Sequence, residues 1–205
     1  MKILAISDVV LPKMQMADYL HQQFSDVSLL VSCGDMPVWY LDFVGSILSL
    51  PLFYVRGNHD TSYKSPDPGG DNLHMRIKKY RGYSFAGLEG SIRYNRGAIQ
   101  YTEGEMLWNV MRLMPRLLPQ RWRRGYGVDV LVTHSPPHGI HDIADDYAHR
   151  GFKVFLRAMR WVQPRFLIHG HVDTWDRRLT RETDYAKTKV ININPYRVVN
   201  LERES

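Results

Sequence analysis

Within four residues, Gly57-Asn58-His59-Asp60 offers a neutral oxygen ligand, an imidazole that can give or take a proton, and a carboxylate that could orient that ring. An apolar run, Pro51-Leu52-Phe53-Tyr54-Val55, leads directly into it. Four more stretches repeat the arrangement. Asp8 follows residues 2–7, Gly34-Asp35 follows 27–33, His134 follows 128–133, and Gly170-His171-Val172-Asp173 follows 165–169. A single histidine at a strand end is ordinarily just hydrogen-bonded. Five junctions that all carry Asp, Asn or His call for a common cause. If the fold gathers them, three carboxylates share a small volume, and without a cation at least one would have to be protonated. Two imidazoles and an amide oxygen complete a mixed oxygen/nitrogen site for a divalent metal.

The elements that must do the gathering are readable. Residues 2–7, 27–33 and 51–55 are short apolar runs of strand type. Between them, residues 14–24 carry Met16, Tyr19, Leu20 and Phe24 at near-helical spacing, and a second helix starts at Pro37 with Leu41, Val44, Ile47 and Leu48 on one face. This rhythm predicts parallel strands joined by right-handed crossovers. Ligands in such sheets gather at the carboxyl ends of the strands, where Asp8, Asp35 and residues 57–60 fall.

Further along, residues 61–72 are polar and rich in Pro and Gly, a loop that could serve as a lid or as plain surface. Tyr83 to Leu88 resumes a strand. Thr102 and Glu105 have capping-box spacing before Met106, Leu107, Val110, Leu113 and Met114, and the helix they start is expected to run out at Pro115 and Pro119. The basic stretch Arg121-Trp122-Arg123-Arg124 reads as a solvated corner with a half-buried Trp, or as a contact for phosphate or an acidic partner. A strand at 128–133, a helix at 151–162, a short strand at 165–168 and two strands near 189–194 and 196–201, turning at Asn194-Pro195, finish the chain.

The length of 205 residues and a hydrophobic content of 44% suit one domain over 1–205. The formal charge of +6 favours phosphate-bearing ligands. Cys33 stands alone, which rules out an intramolecular disulfide framework, suits a reducing compartment and reads as a small buried hydrophobe. No apolar run has the length of a membrane span, and the brief apolar start before Asp8 is too short for a signal peptide. The expectation is a soluble cytoplasmic protein without a membrane partner.

Asp8, Gly34-Asp35, Gly57-Asn58-His59-Asp60, His134 and Gly170-His171 resemble, in order and over nearly the whole chain, the signature of the calcineurin-like metallophosphoesterases. The resemblance implies an α/β fold, a two-sheet β-sandwich flanked by helices, with a dinuclear metal centre at the strand ends. It implies metal-dependent hydrolysis of a phosphomonoester or phosphodiester, with a phosphate-ester small molecule or nucleotide as substrate. Asp35 matches the carboxylate bridging both metals, and Asn58, His134 and His171 match the remaining ligands of the second. Asp8 matches a ligand of the first. His59 matches the proton donor to the leaving oxygen, and Asp60 would orient its ring.

Two positions depart from that signature. The first motif, usually Asp-Xaa-His, is Asp8-Val9-Val10, and the last, usually Gly-His-Xaa-His, is Gly170-His171-Val172-Asp173. Both changes fall on the first metal, which would keep Asp8, Asp35 and Asp173, all oxygen donors. Such a set suits Mn²⁺ or Mg²⁺ better than Zn²⁺. The expectation is a lopsided centre, one ion held firmly and one weakly, with manganese favoured and zinc, iron or magnesium as alternatives. The rival class is a metal- or nucleotide-binding module that has lost hydrolysis, which Val10 and Asp173 motivate and the retained His59 opposes. A nuclease rests only on net charge and residues 121–124. His141, Asp142 and His149 could replace the missing imidazole or touch substrate, but a surface turn is the favoured reading. Arg56, Arg93 and Arg96 are weaker candidates for substrate phosphate.

Overall fold

The computed structural model describes residues 1–60, 67–173 and 180–202. Strands β1 (Lys2–Ile6), β2 (Leu29–Ser32) and β3 (Leu52–Tyr54) run parallel, linked through helices α1 (Ala17–Phe24) and α2 (Val38–Ile47). The short β4 (Asp71–Asn72) extends this sheet at one edge. The expected helix over 14–24 is divided: Pro12–Gln15 forms a 3₁₀ turn and α1 starts only at Ala17, so Met16 is exposed at the join. Residues 61–66, half of the candidate lid, lie outside the described residues.

The second sheet contains β5 (Ile77–Tyr80), β6 (Tyr83–Leu88), β9 (Val130–Thr133), β10 (Phe166–His169), β11 (Glu182–Tyr185) and β12 (Thr188–Asn192), ordered β11-β12-β10-β9-β6-β5. Its four inner strands are parallel and both edge strands antiparallel. β7 (Ser91–Ile92) and β8 (Gln100–Tyr101) form a small parallel pair before α3 (Glu103–Arg124), and α4 (Lys153–Val162) precedes β10. The last strand, β13 (Tyr196–Asn200), leaves the second sheet and pairs antiparallel with β1 in the first. Asn194-Pro195 is thus a passage between sheets, joined by a cis peptide bond.

Alternation along the strands explains the layering. In β1, Ile3 and Ala5 enter the core between the sheets, while Leu4 and Ile6 pack beneath α1 and α2. In β9, Val130 and Val132 face the other sheet and Leu131 faces α3 and α4. Successive strand residues point to opposite faces, and here both faces are covered, so both sets are apolar. The result is a helix–sheet–sheet–helix sandwich.

Helix α3 corrects one expectation. It continues through Pro115 and Pro119 to Arg124, capped at its start by the Thr102/Glu105 box and at its end by Gly125 with φ +80°. Each proline removes a donor and normally costs a helix about 3 kcal/mol. Both prolines lie on the exposed face, where water can satisfy the carbonyls they free, while Val110, Leu113, Met114 and Leu117 anchor the opposite face in the core. The Arg121–Arg124 stretch is accordingly the last turn of α3, and Trp122 is exposed, not half-buried.

Candidate metal centre

The polar residues converge where parallel strands of both sheets end. Asp35 follows β2 with φ +54°, which turns its carboxylate back over the strand ends. Its Oδ1 accepts the backbone N–H of His59 at 2.8 Å, and its Oδ2 lies 3.4 Å from Nε2 of His134. A Cβ on Gly57 would fall 2.0 Å from Asp35 Oδ1, so only glycine lets the two loops meet. Asn58 presents Oδ1 to His134 Nε2 at 3.0 Å while its Nδ2 donates to the Tyr94 hydroxyl at 3.2 Å. His134 is fully buried, and its Nδ1–H donates to the Cys33 carbonyl at 2.8 Å. His171 packs edge-on against His134, ring centroids 4.7 Å apart, and its Nε2–H donates to the Ala148 carbonyl at 2.8 Å. That leaves Nδ1 of His171 as its free donor. One donor atom each from Asp35, His134 and His171 lies within 4.8 Å of the others.

Burial and neighbouring charges set the electrostatics of the cluster. Burial resists charging His134, but Asp35 and Asp8 outweigh it and hold the ring cationic, up to about 9. Burial likewise opposes ionisation of Asp35, yet the His134 ring brings it down to about 2. Burial, with His134 beside it, pushes His171 down to about 3, so it stays neutral. Two lone-pair oxygens therefore converge on a protonated ring in the place where a divalent cation would satisfy all of them.

The remaining expected residues are placed differently. Asp8, at φ +63°, is half-buried, and its desolvation raises its carboxyl above the ordinary value against the pull of His134 and Ser7. Its Oδ2 accepts from the Ser7 hydroxyl, from the His171 N–H at 2.9 Å and from Asn194 Nδ2 at 3.1 Å. Asp173 is exposed, and neither it nor Asp8 joins the cluster around Asp35 among the described residues. Val10 is half-buried and packs with the apolar layer beneath α1 and α2. His59 is exposed, and among the described residues no side chain hydrogen-bonds its ring.

Asp60 is engaged elsewhere: its Oδ2 accepts the backbone N–H of both Gly57 and Asp35 at 2.7 Å and so pins the two ligand loops together, and among the described residues no hydrogen bond joins it to the His59 ring. Burial and the nearby Asp35 raise it, against the Gly57 N–H, to about 6. His141 turns away from the first site. Its Nδ1–H donates to Nε2 of buried His169 at 3.1 Å, and its Nε2 accepts from Thr183 at 2.9 Å. Asp142 accepts from Gly139 and Gly151 N–H and holds the loop. His149 is bonded to Asp146 at 2.6 Å and lies against the His171 ring. Arg56 is committed to buried Glu89 through Nε and Nη2 at 2.8 and 2.9 Å, and Arg93 to Glu105, so neither is a free phosphate ligand. Arg96 is exposed.

Sequence reading missed Tyr94, which fixes the Asn58 amide, and Asn194, which contacts Asp8. Nothing in the sequence near Tyr94 signals its role. Asn194 was within reach, because it ends the run through β12 just as the other polar residues end theirs.

The sequence model of the calcineurin-like phosphoesterases matches residues 1–174. The chain belongs to this family. A solved crystal structure superposes on this calcineurin-like phosphoesterase with TM-score 0.63 at 15% identity, covering 98% of this chain and 99% of its own. TT1561 of Thermus thermophilus aligns with TM-score 0.59 at 15% identity over 98% of this chain and 99% of its own. GAP50, the anchor in the inner membrane complex of Plasmodium, gives 0.52 at 12% identity over 94% and 70%. At such identities these likenesses establish the shared fold alone. No curated protein matches the chain. Membership supports a phosphoesterase-type, metal-dependent fold, and no helix among the described residues is long and apolar enough to cross a membrane.

Proposed function

We propose that the protein is a hydrolase of phosphate esters whose metal centre is lopsided: a firm site built from Asp35, Asn58, His134 and His171, and a weak one at Asp8 and Asp173. The observation that carries the reading is the facing pair of Asn58 Oδ1 and His134 Nε2 beside the Asp35 carboxylate. Each donor is fixed from behind, by Tyr94, Cys33 and the His59 N–H, so the set would hold a divalent ion in place of the proton on His134 Nε2. A bound divalent ion supplies Lewis acidity toward the phosphoryl oxygens and toward the attacking water. Asp35, anchored through Oδ1, keeps Oδ2 for the ion. His59 stands at the mouth of the site with its backbone tied to Asp35 and its ring free to give a proton to the leaving oxygen. Asp60 keeps the loops of Asp35 and Asn58 at a fixed separation.

Two placements support a weak first site: Val10 is engaged in apolar packing, and Asp173 is exposed and, among the described residues, outside the cluster around Asp35. A hard oxygen set there suits manganese or magnesium. The substrate is a small phosphate ester or a nucleotide, and the working place is the cytoplasm. Metal analysis after mild dialysis tests the centre, with about one ion per chain expected; two tightly held ions would overturn the asymmetry. Turnover of a bis-aryl phosphodiester with added Mn²⁺ tests the activity. Absence of turnover with every divalent metal, alongside clear nucleotide binding, would favour the binding-module reading that Val10 and Asp173 motivate.

A further inference from the structure

The outer helical layer on the second sheet carries a surface that the metal centre does not use. On α3, Trp108, Met111, Pro115 and Trp122 recur at intervals of three, four and seven residues and so lie along one stripe, about 21 Å long at 1.5 Å per residue. Trp122 is 79% exposed, Trp108 66% and Met111 47%. The neighbouring α4 adds Trp161 at 37%. The two helices are joined at both ends: Glu103 accepts the N–H groups of Lys153 and Val154, and Arg121 donates to the Trp161 carbonyl. Their tryptophans therefore belong to one continuous layer.

Charge on this layer has a single sign. From Met106 to Arg124 and from Lys153 to Val162 the sequence contains no carboxylate. Arg112, Arg116, Arg123, Lys153, Arg157 and Arg160 are all exposed there. The only acids of α3, Glu103 and Glu105, are spent at its first turn, on the α4 N-terminus and on the capping box with Arg93. Exposed tryptophans set among arginines on a raised helical face match the chemistry of an anionic bilayer surface, where indole rings settle at the headgroup level and arginines meet lipid phosphates. A nucleic-acid backbone would engage the arginines and leave Met111 and the prolines idle.

We infer that the outward faces of α3 and α4 form a peripheral docking surface for membranes containing anionic lipid. Docking there covers the outer face of the second sheet and leaves the strand ends, where the metal centre lies, open. The inference does not depend on hydrolytic activity. It concerns a surface contact, not a spanning segment.

Sedimentation of the full chain with vesicles is the test. Co-sedimentation is expected with phosphatidylcholine/phosphatidylglycerol vesicles and not with phosphatidylcholine alone. Replacing Arg112 or Arg116 by Ala should weaken partitioning about fivefold each. Trp108→Ser with Trp122→Ser should weaken it by a larger factor at unchanged melting temperature. Absence of binding to the anionic vesicles overturns the inference. So does binding that the tryptophan replacements leave intact while a single-stranded oligonucleotide competes for it, which would assign the face to nucleic acid. A concentration-dependent dimer that Trp108→Ser abolishes, without vesicle binding, would assign it to a second copy of the chain.

Discussion

The amide oxygen of Asn58 and Nε2 of His134 face each other at 3.0 Å, each held from behind by a group outside the ligand set. Tyr94 accepts from the Asn58 amide nitrogen and Cys33 accepts from His134 Nδ1–H. An amide can flip, and the Tyr94 bond fixes which end of it turns to the ring even when His134 Nε2 carries no proton. Tyr94→Phe is therefore expected to lower metal affinity about 10–100-fold, the usual cost of losing such a supporting bond, with little change in melting temperature. Titration calorimetry with Mn²⁺ checks it; unchanged affinity would show that Asn58 needs no outside help.

Gly57 tests how closely the loops must approach. A methyl group there would meet Asp35 Oδ1 at 2.0 Å and the Asp35 backbone N at 2.6 Å. Gly57→Ala should displace Asp35 and lose the firm ion, since backbone atoms cannot yield as a flexible side chain can. Metal content after dialysis reads the effect. A variant that retains one ion per chain would mean that the loop shifts as a unit.

His59 is expected to matter in proportion to the leaving group. His59→Ala should cost about 10²–10⁴ in rate on an alkyl ester, the scale of a general acid, and much less on a nitrophenyl ester whose leaving oxygen needs no proton. Equal losses on both substrates would give His59 a binding role in place of proton transfer.

Much of this was legible because a parallel sheet forces its strand ends into one rim. Asp8, Asp35, Asn58, His134 and His171 each end an apolar run, and the rhythm of strands and helices is enough to place them together. What escaped depends on partners distant in sequence. That Asp60 would serve two backbone amides follows from the approach of Gly57 to Asp35. The continuation of α3 past Pro115 and Pro119 follows from the core beneath it, which local propensity does not encode. His141 pairs with His169 across a loop whose path no periodicity describes.

Asp129, at the opposite end of β9 from His134, is expected to contribute to acid stability. It is buried, accepts from the Ser84 N–H and hydroxyl at 2.9 and 2.7 Å, and lies 3.4 Å from both Arg124 and Arg165. Burial opposes its charge, but the Ser84 bonds and then Arg124 prevail and hold its carboxyl below the ordinary value of 3.8. With the folded value depressed, the unfolded chain binds the extra proton, so this stabilisation is complete above about pH 4 and declines as pH falls through the folded value. Asp129→Asn should flatten that acid limb in urea unfolding. Asp129→Ala should cost about 2 kcal/mol at neutral pH, toward the low end for a broken ion pair because Arg124 remains partly in water. An unchanged acid limb in Asp129→Asn would remove the residue from this role.

The proposed asymmetry of the metal centre separates two carboxylates that look alike in the sequence. Asp35 spends Oδ1 on a backbone amide and turns Oδ2 toward His134, whereas Asp8 spends Oδ2 on three donors. Each keeps its second oxygen, but that of Asp35 stands beside His134 and His171, whereas Val10 packs in the apolar layer near Asp8 and Asp173 is exposed, so an ion at the first site would have fewer donors around it. Asp8→Asn should therefore leave the retained ion in place after dialysis, while Asp35→Asn and His134→Ala should lose it. Metal analysis of the three variants, with folding verified by circular dichroism, decides the matter. Loss of the ion in Asp8→Asn as complete as in His134→Ala would mean that both sites fill together and that the lopsided centre is wrong.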